Sequence, residues 1–182
     1  IHIPNMGLDG LNEFNKYFYP QLRKKALIID VRGNGGGFVS AMVVDRLVRE
    51  MVMVEVGRNF APVPDPGAAF LGPKVALCDE FSASDGDIFP YRFKTLGIGK
   101  VIGKRTWGGL VGIYDYTQLI DGGFVTAPRL AFWNPNGTWD VENNGVAPDI
   151  EVELDPKAVR EGHDPQLEKA VDWLLDALKK NP

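Results

Sequence analysis

The chain has 182 residues, 45% of them hydrophobic, and this length and composition predict one globular domain with a buried core. The formal net charge is −4 and no basic run is longer than RKK at positions 23–25, which argues against binding to nucleic acid or an anionic membrane. No stretch approaches the roughly 20 apolar residues of a membrane span, and the single cysteine, Cys78, is expected to be a buried structural thiol.

The first residues predict a strand, a helix and a second strand. The opening IHIPNMG is strand-like up to Pro4, and a helical segment follows with Leu11, Phe14 and Phe18 on one face. Residues 26–31, ALIIDV, form an apolar run that suits a central strand covered on both faces.

A glycine-rich loop, RGNGGG at positions 32–37, separates that strand from the next helix. Ser40 is a possible N-cap of this helix. The apolar residues of its predicted face are Val44, Leu47, Val48 and Met51. The loop lacks the Lys-Ser/Thr pair of a phosphate loop and the spacing of a dinucleotide site, so nucleotide binding is not expected. It is either a flexible entry to the helix or a backbone that passes close to a bound group with its N–H groups exposed.

The middle of the chain predicts a loop, a strand, a helix and a further strand. Residues 57–73 hold four prolines and are expected to form a surface loop, and KVALC at 74–78 reads as a buried strand. A helix should then run to about Leu96, with Pro90 expected to kink or shorten its first turns. KVIG at 100–103 predicts the next strand.

The second half adds a hairpin and a final helix. IYDYTQLI at 113–120 and GFVTAPRLAFW at 123–133 alternate around an Asp-Gly-Gly turn signal. The last helix has Asp164 as its cap and Pro165 at its first position. Its apolar face carries Leu167, Ala170, Val171, Leu174, Leu175 and Leu178. Together these elements predict an α/β fold with a mainly parallel sheet, helices and an added antiparallel hairpin.

Ser84 stands at a predicted strand-to-helix turn, directly before Asp85, and two interpretations of it are open. Ser followed by acidic residues is typical of an ordinary helix N-terminus. The alternative is a nucleophilic serine on a tight turn, with nearby amides that stabilise an oxyanion. Parallel strands place ligands at their carboxyl ends, where both Ser84 and the glycine loop are expected.

A serine nucleophile needs a base, and the sequence offers two histidines. His2 is interpreted as a strand residue and His163 as a solvated or capping residue before the last helix. Lys94 and Lys104 are interpreted as solvated residues of a helix and a loop. Either the protein is not a Ser/His enzyme, or its base lies outside these residues.

Three blocks carry a family resemblance: ALIIDVRGNGGG, SASDGDIFPYRFKTLGIGKVIGKRTWGG and VENNGVAPDIEV. In this order they closely resemble the carboxyl-terminal catalytic domain of the tricorn proteases, relatives of the C-terminal processing (tail-specific) serine peptidases. The resemblance covers about residues 1–154 and implies a ClpP/crotonase-like α/β superhelix. The whole chain, 1–182, is then expected to be a single catalytic domain from a longer polypeptide.

The resemblance also implies a mechanism. It makes Ser84 the nucleophile that attacks a peptide carbonyl, with the backbone N–H groups of Asp85 and Gly37 as the oxyanion hole. Glu142 becomes the acid of a Ser-His-Ser-Glu tetrad, acting through a second serine. In the family the His and the second Ser lie upstream of the part that this sequence resembles. We expect peptide substrates to pair with the strand edge at Gly112 and Ile113.

The expected protein is therefore a serine peptidase that trims peptides or unfolded protein, without a metal or other cofactor. Its expected partners are peptide substrate, upstream domains of the same polypeptide and further copies of itself, without nucleic acid or membrane. The expected compartment is the cytoplasm. The alternative is a non-catalytic module that binds a ligand or peptide on the same fold.

Overall fold

The computed structural model describes residues 1–113 and 115–180, with the backbone alone at 115–117. The strands are β1 (Leu27–Asp30), β2 (Met53–Glu55), β3 (Val63–Asp65), β4 (Lys74–Cys78), β5 (Lys100–Gly103), β6 (Asp115–Gln118), β7 (Phe124–Ala127) and β8 (Ile150–Glu151). The helices are α1 (Leu8–Phe18), α2 (Ser40–Leu47), α3 (Asp85–Thr95), α4 (Pro156–Arg160) and α5 (Pro165–Lys180). A short 3₁₀ turn, Tyr19–Gln21, follows α1.

The central sheet has the order β1-β4-β5-β8, and all of its neighbouring strands run parallel. Two antiparallel pairs, β2 with β3 and β6 with β7, lie outside this sheet. The predicted α/β fold, with a mainly parallel sheet and an added hairpin, is confirmed. Tyr114, which the predicted hairpin strand included, lies outside the described residues.

The sheet is covered on both faces because alternate residues of β4 point to opposite sides. Ala76 and Cys78 belong to the larger core, which Phe14, Phe18, Phe89 and Phe93 of helices α1 and α3 help to fill. Val75 and Leu77 face the other way and pack against α5. This layering explains why the strand reads as an apolar run without alternation, and Cys78 is buried as expected.

The opening segment, predicted as a strand up to Pro4, pairs with its neighbours only through isolated bridges. His2 and Met6 make isolated parallel bridges with Asp30 and Gly37, on either side of Pro4. A proline has no N–H for a ladder bond, so the pairing is interrupted there. The bridge at Met6 nevertheless attaches the chain start to the glycine loop.

Two predictions about helices were wrong. Ser40 is the first residue of α2 and Val39 is its N-cap, so the serine does not cap its own helix. Helix α2 ends at Leu47, which leaves Val48 and Met51 of the predicted apolar face exposed.

The sequence predicted that Pro90 would kink or shorten the first turns of its helix. It does not shorten them, because α3 runs from Asp85 through Pro90. The predicted loop at 57–73 contains β3, which pairs with β2. Pro64 obscured this strand, but a two-stranded ribbon tolerates proline because one side of each strand has no partner. Helix α5 begins as predicted, since the carboxylate of Asp164 accepts the N–H of Leu167 at 3.0 Å. No helix in the described ranges is long and apolar enough to cross a membrane.

Candidate active site

Ser84 occupies the turn between β4 and α3 in a strained backbone conformation. Its φ of 56° and ψ of −120° lie where few residues other than glycine are found. Ser84 is the N-cap of α3, yet its side chain makes no capping hydrogen bond. The interpretation of Ser84 as an ordinary capping residue is therefore wrong. Strain of this kind costs about 1–3 kcal/mol and persists only where the surroundings impose it.

The glycine loop imposes the turn. The N–H of Ala83 donates to the carbonyl of Asn34 at 2.8 Å. Asn34 is fully buried, and its side chain donates to the carbonyl of Ile3 and accepts the N–H of Gly36. The loop is thereby anchored at both the chain start and the serine turn.

Two backbone amides beside Ser84 have no hydrogen-bond partner in the part of the chain that the structure describes. In the bridge between Met6 and the loop, Met6 donates to the carbonyl of Gly36 and Phe38 donates to the carbonyl of Met6. Gly37 itself donates nothing to that bridge. No acceptor within residues 1–113 and 115–180 binds the N–H of Gly37 or of Asp85.

A cavity of about 430 Å³ joins these groups. Its lining residues are Gly37, Phe38, Ala41, Ser84, Asp85, Ile88, Arg92, Leu110, Val111, Gly112, Ile113 and Phe132. A second cavity of about 400 Å³ shares part of that wall and extends along Trp133, Pro135 and Val141. The structure thus brings five of the six predicted site residues to one mostly apolar cavity.

Glu142, the sixth, lies behind the cavity wall. Its carboxylate accepts the N–H of Leu110 at 2.6 Å and that of Val111 at 3.1 Å. Both of these residues line the cavity, and the structure shows no bond between Glu142 and Ser84. Glu142 therefore contacts the site through the backbone of the wall.

The backbone at Gly112 is already paired. Its N–H donates to the carbonyl of Leu130, and its own carbonyl accepts the N–H of Arg129, both at 2.8 Å. Gly112 lines the cavity without a free N–H for an incoming strand. Ile113, the next residue, is exposed, and its N–H and carbonyl bind no described residue.

Asp87 was not predicted as a site residue, but it secures the loop that leads to the wall. Its carboxylate accepts the N–H of Gly108 at 2.8 Å and that of Gly109 at 3.4 Å. Burial raises the pKa of Asp87 above its ordinary value, and hydrogen bonds from Thr106 and these amides oppose the shift. The sequence signal, an acidic residue in a first helical turn, indicated only a favourable helix dipole.

The histidines lie outside the cavity, as the sequence indicated. His2 lines a separate groove with Glu13 and Tyr17, and Nδ1 of His163 lies 3.0 Å from the carboxylate of Glu168. Among the described residues, the lining of the Ser84 cavity includes no His or Lys. The same residues contain no cluster of His, Cys, Asp and Glu suited to a metal ion.

The two lysines are paired elsewhere. Lys94 donates to the carbonyl of Ala147, so it is held at the protein surface and is not simply solvated. Lys104 donates to the carboxylates of Glu151 and Glu153. A serine hydroxyl and two backbone amides, none of which binds a described residue, line one cavity. They offer two of the three requirements of acyl transfer, a nucleophile and an oxyanion site, and the third requirement is a base.

The comparisons with known proteins agree with this chemistry. Residues 1–152 match the model of peptidase family S41. The chain is 45% identical over 179 residues to the tricorn protease of Thermoplasma acidophilum, covering 98% of this chain and 17% of that protein. It is 42% identical over 182 residues to tricorn protease homolog 1 of Streptomyces coelicolor, again covering 17% of the relative.

A solved crystal structure of a tricorn protease superposes with a TM-score of 0.91 at 44% identity, over 98% of this chain and 18% of that one. The chain belongs to peptidase family S41, and it resembles tricorn proteases along nearly its whole length. It spans less than a fifth of the length of these relatives.

Proposed function

We propose that this chain is a serine peptidase domain in which Ser84 is the nucleophile. The observation that carries the proposal is the hydroxyl of Ser84 on a strained turn, in one cavity with the amides of Gly37 and Asp85, where none of these three groups binds a described residue. Oγ attacks the peptide carbonyl carbon, and the oxyanion that forms accepts from both amides. The amine leaves with a proton, and water then hydrolyses the acyl-enzyme.

The base of this reaction comes from outside the 182 residues, as a His oriented by a second Ser. In this proposal Glu142 is the acid that orients that pair. Its support is its position, because two hydrogen bonds of 2.6 and 3.1 Å fix its carboxylate behind the cavity wall. Its second oxygen, Oε1, binds no described residue and is available to a group that docks there.

The proposed substrate is a peptide or unfolded protein segment that lies along residues 111–113. The N–H and carbonyl of Ile113 bind no described residue, and pairing with an extended peptide requires such groups. The neighbouring cavity, lined by Trp133, Pro135 and Val141, suits an apolar substrate side chain.

The protein is further proposed to be cytoplasmic, to use no cofactor, and to act with other domains or copies of itself. The chain matches only 17% of the tricorn protease of Thermoplasma acidophilum, which supports a role for additional domains. Met53 and Val54 of β2 are exposed, and they support a protein contact at the β2–β3 pair, since apolar side chains on an exposed strand favour association.

The test is peptide hydrolysis by the full-length protein, measured with a library of quenched fluorescent peptides. We expect cleavage that Ser84→Ala abolishes and that a His2→Gln, His163→Gln double variant retains in full. Binding of peptides without cleavage would instead support the non-catalytic module. Loss of cleavage in the double variant would show that the base lies within this chain.

A further inference from the structure

The carboxylate of Asp85 binds the start of a different helix. Its Oδ2 accepts the N–H of Ser40 at 2.9 Å, and its Oδ1 accepts the hydroxyl of the same serine. Ser40 is fully buried and Asp85 is 5% exposed. Because water is excluded there, these charge-assisted bonds are stronger than they would be at the surface.

Arg92 completes a three-residue network. Its Nη1 donates to Oγ of Ser40 at 2.7 Å, so this hydroxyl accepts from the guanidinium and donates to the carboxylate. Arg92 lies seven residues after Asp85, which places both on the same face of α3. The positive and negative ends of the network therefore come from one helix and enclose the first residue of α2.

The network joins the two segments that carry the unpaired amides. Ser40 follows Gly37 by three residues, and Asp85 provides the second amide from its own backbone. We propose that Ser40 and Arg92 are positioning residues which, through the carboxylate of Asp85, set the spacing of the two oxyanion donors. This inference rests on the proposed function of the same site.

The effect of such a network is confined to the transition state. Oxyanion donors must lie about 2.7–3.1 Å from the developing charge, and a misplacement of about 1 Å reduces the rate by about 10²-fold. Ser40 does not line the cavity and so has no contact with a bound peptide. Loss of its hydroxyl should lower kcat and leave KM almost unchanged.

The experiment compares Ser40→Ala, Arg92→Met and Arg92→Lys in the full-length protein. It measures kcat and KM for a fluorogenic peptide, and Ki for a peptide boronic acid, whose adduct with serine is tetrahedral and anionic. We expect Ser40→Ala to lower kcat at least about tenfold and to raise Ki by the same factor, with KM within about twofold. Arg92 itself lines the cavity, so Arg92→Met should change kcat and Ki in the same way, and KM is not used to judge that variant unless kcat is unchanged. Arg92→Lys keeps a cationic donor, so its kcat and Ki should lie close to those of the parent.

Gln166→Met is the matched control for lost stability. Gln166 is also fully buried and hydrogen-bonded, to Arg32 and to the carbonyl of Val152, but it lies away from the cavity. The Gln166→Met substitution should lower the melting temperature without changing kcat or Ki. Ser40 and Arg92 variants that behave like this control would overturn the proposal.

Other outcomes would also test the positioning role or the proposed function. If Ser40→Ala does not fold, the Arg92→Met and Arg92→Lys pair gives the answer, because Arg92 is only half-buried. A rise in KM with unchanged kcat in Arg92→Met would make Arg92 a substrate contact and overturn its positioning role. An active Ser84→Ala variant would refute the proposed function, whereas an inactive one beside unaffected Ser40 and Arg92 variants would refute the network alone.

Discussion

Gly36 lies directly against Ser84. A Cβ built on Gly36 would come within 2.6 Å of the Cβ of Ser84 and 2.9 Å of the backbone nitrogen of Asp85. No real pair of such atoms approaches so closely, and the φ of Gly36, +103°, also excludes most other residues. The position of the serine turn therefore depends on the absence of a side chain in the facing loop.

Gly36→Ala should displace the serine turn and destabilise the protein by about 2 kcal/mol or more, because both contact and backbone oppose the methyl group. Gly35→Ala is the matched control, since a Cβ there meets nothing within 4 Å and its φ is not in the left-handed region. We expect its unfolding free energy to stay within about 1 kcal/mol of the parent. Urea unfolding measures the free energy of unfolding of both variants. An equal loss in the two would contradict the close contact between Gly36 and Ser84.

Ser84→Gly should stabilise the protein by up to about 1 kcal/mol while removing activity, because glycine adopts this backbone conformation without strain. Ser84→Ala keeps the Cβ and loses no hydrogen bond, so its stability should equal that of the parent. Thermal unfolding ranks the three proteins. A loss of about 1 kcal/mol in Ser84→Ala would indicate a helix cap after all.

Much of this arrangement was predictable from sequence, because it depends on where strands end. The runs at 74–78 and 100–103 gave the strands β4 and β5 at their observed bounds. Since parallel strands end at one sheet edge, the glycine loop and Ser84 were both expected at that edge, and the pairing of β1 with β4 brings them together. The family resemblance then supplied roles that no spacing implied.

The contacts that shape the site were not predictable, because they join residues far apart in the chain. Nothing in the local sequence showed that Asp85 would bind Ser40, 45 residues away, or that Glu142 would bind the amide of Leu110. Serine and aspartate at helix starts are typical of local caps, and this pattern concealed the long-range bonds. The sequence likewise predicted that Gly112 belongs to a strand edge open to substrate, and nothing near it in the sequence indicated its pairing with Leu130.

Glu142→Gln should lower kcat at least about tenfold with little change in KM, because the amide cannot supply the negative charge that orients a base. Its oxygen still accepts the N–H groups of Leu110 and Val111, so the cavity wall is kept. Steady-state kinetics of Glu142→Gln and Glu142→Ala separate the two roles. A fully active Glu142→Gln beside an impaired Glu142→Ala would show that Glu142 only supports the wall.

The buried carboxyl of Asp87 should make stability depend on pH. Burial raises its native pKa above the ordinary 3.8, so the folded protein binds this proton more tightly than the unfolded chain. The parent should therefore gain stability relative to Asp87→Asn as the pH falls from about 7 to about 4. Urea unfolding across this range measures the difference, and a relative loss of stability on acidification would mean that the amide bonds outweigh burial.

Reaction with a fluorophosphonate tests the central claim most directly. An activated serine forms an Oγ–P bond as fluoride leaves, whereas an ordinary surface serine does not react at a comparable rate. Peptide mapping of the labelled full-length protein should find the phosphonyl group on Ser84, with none in Ser84→Ala and slower labelling when peptide substrate is present. Peptide hydrolysis that persists while Ser84 stays unlabelled, or a label on another serine, would contradict the account.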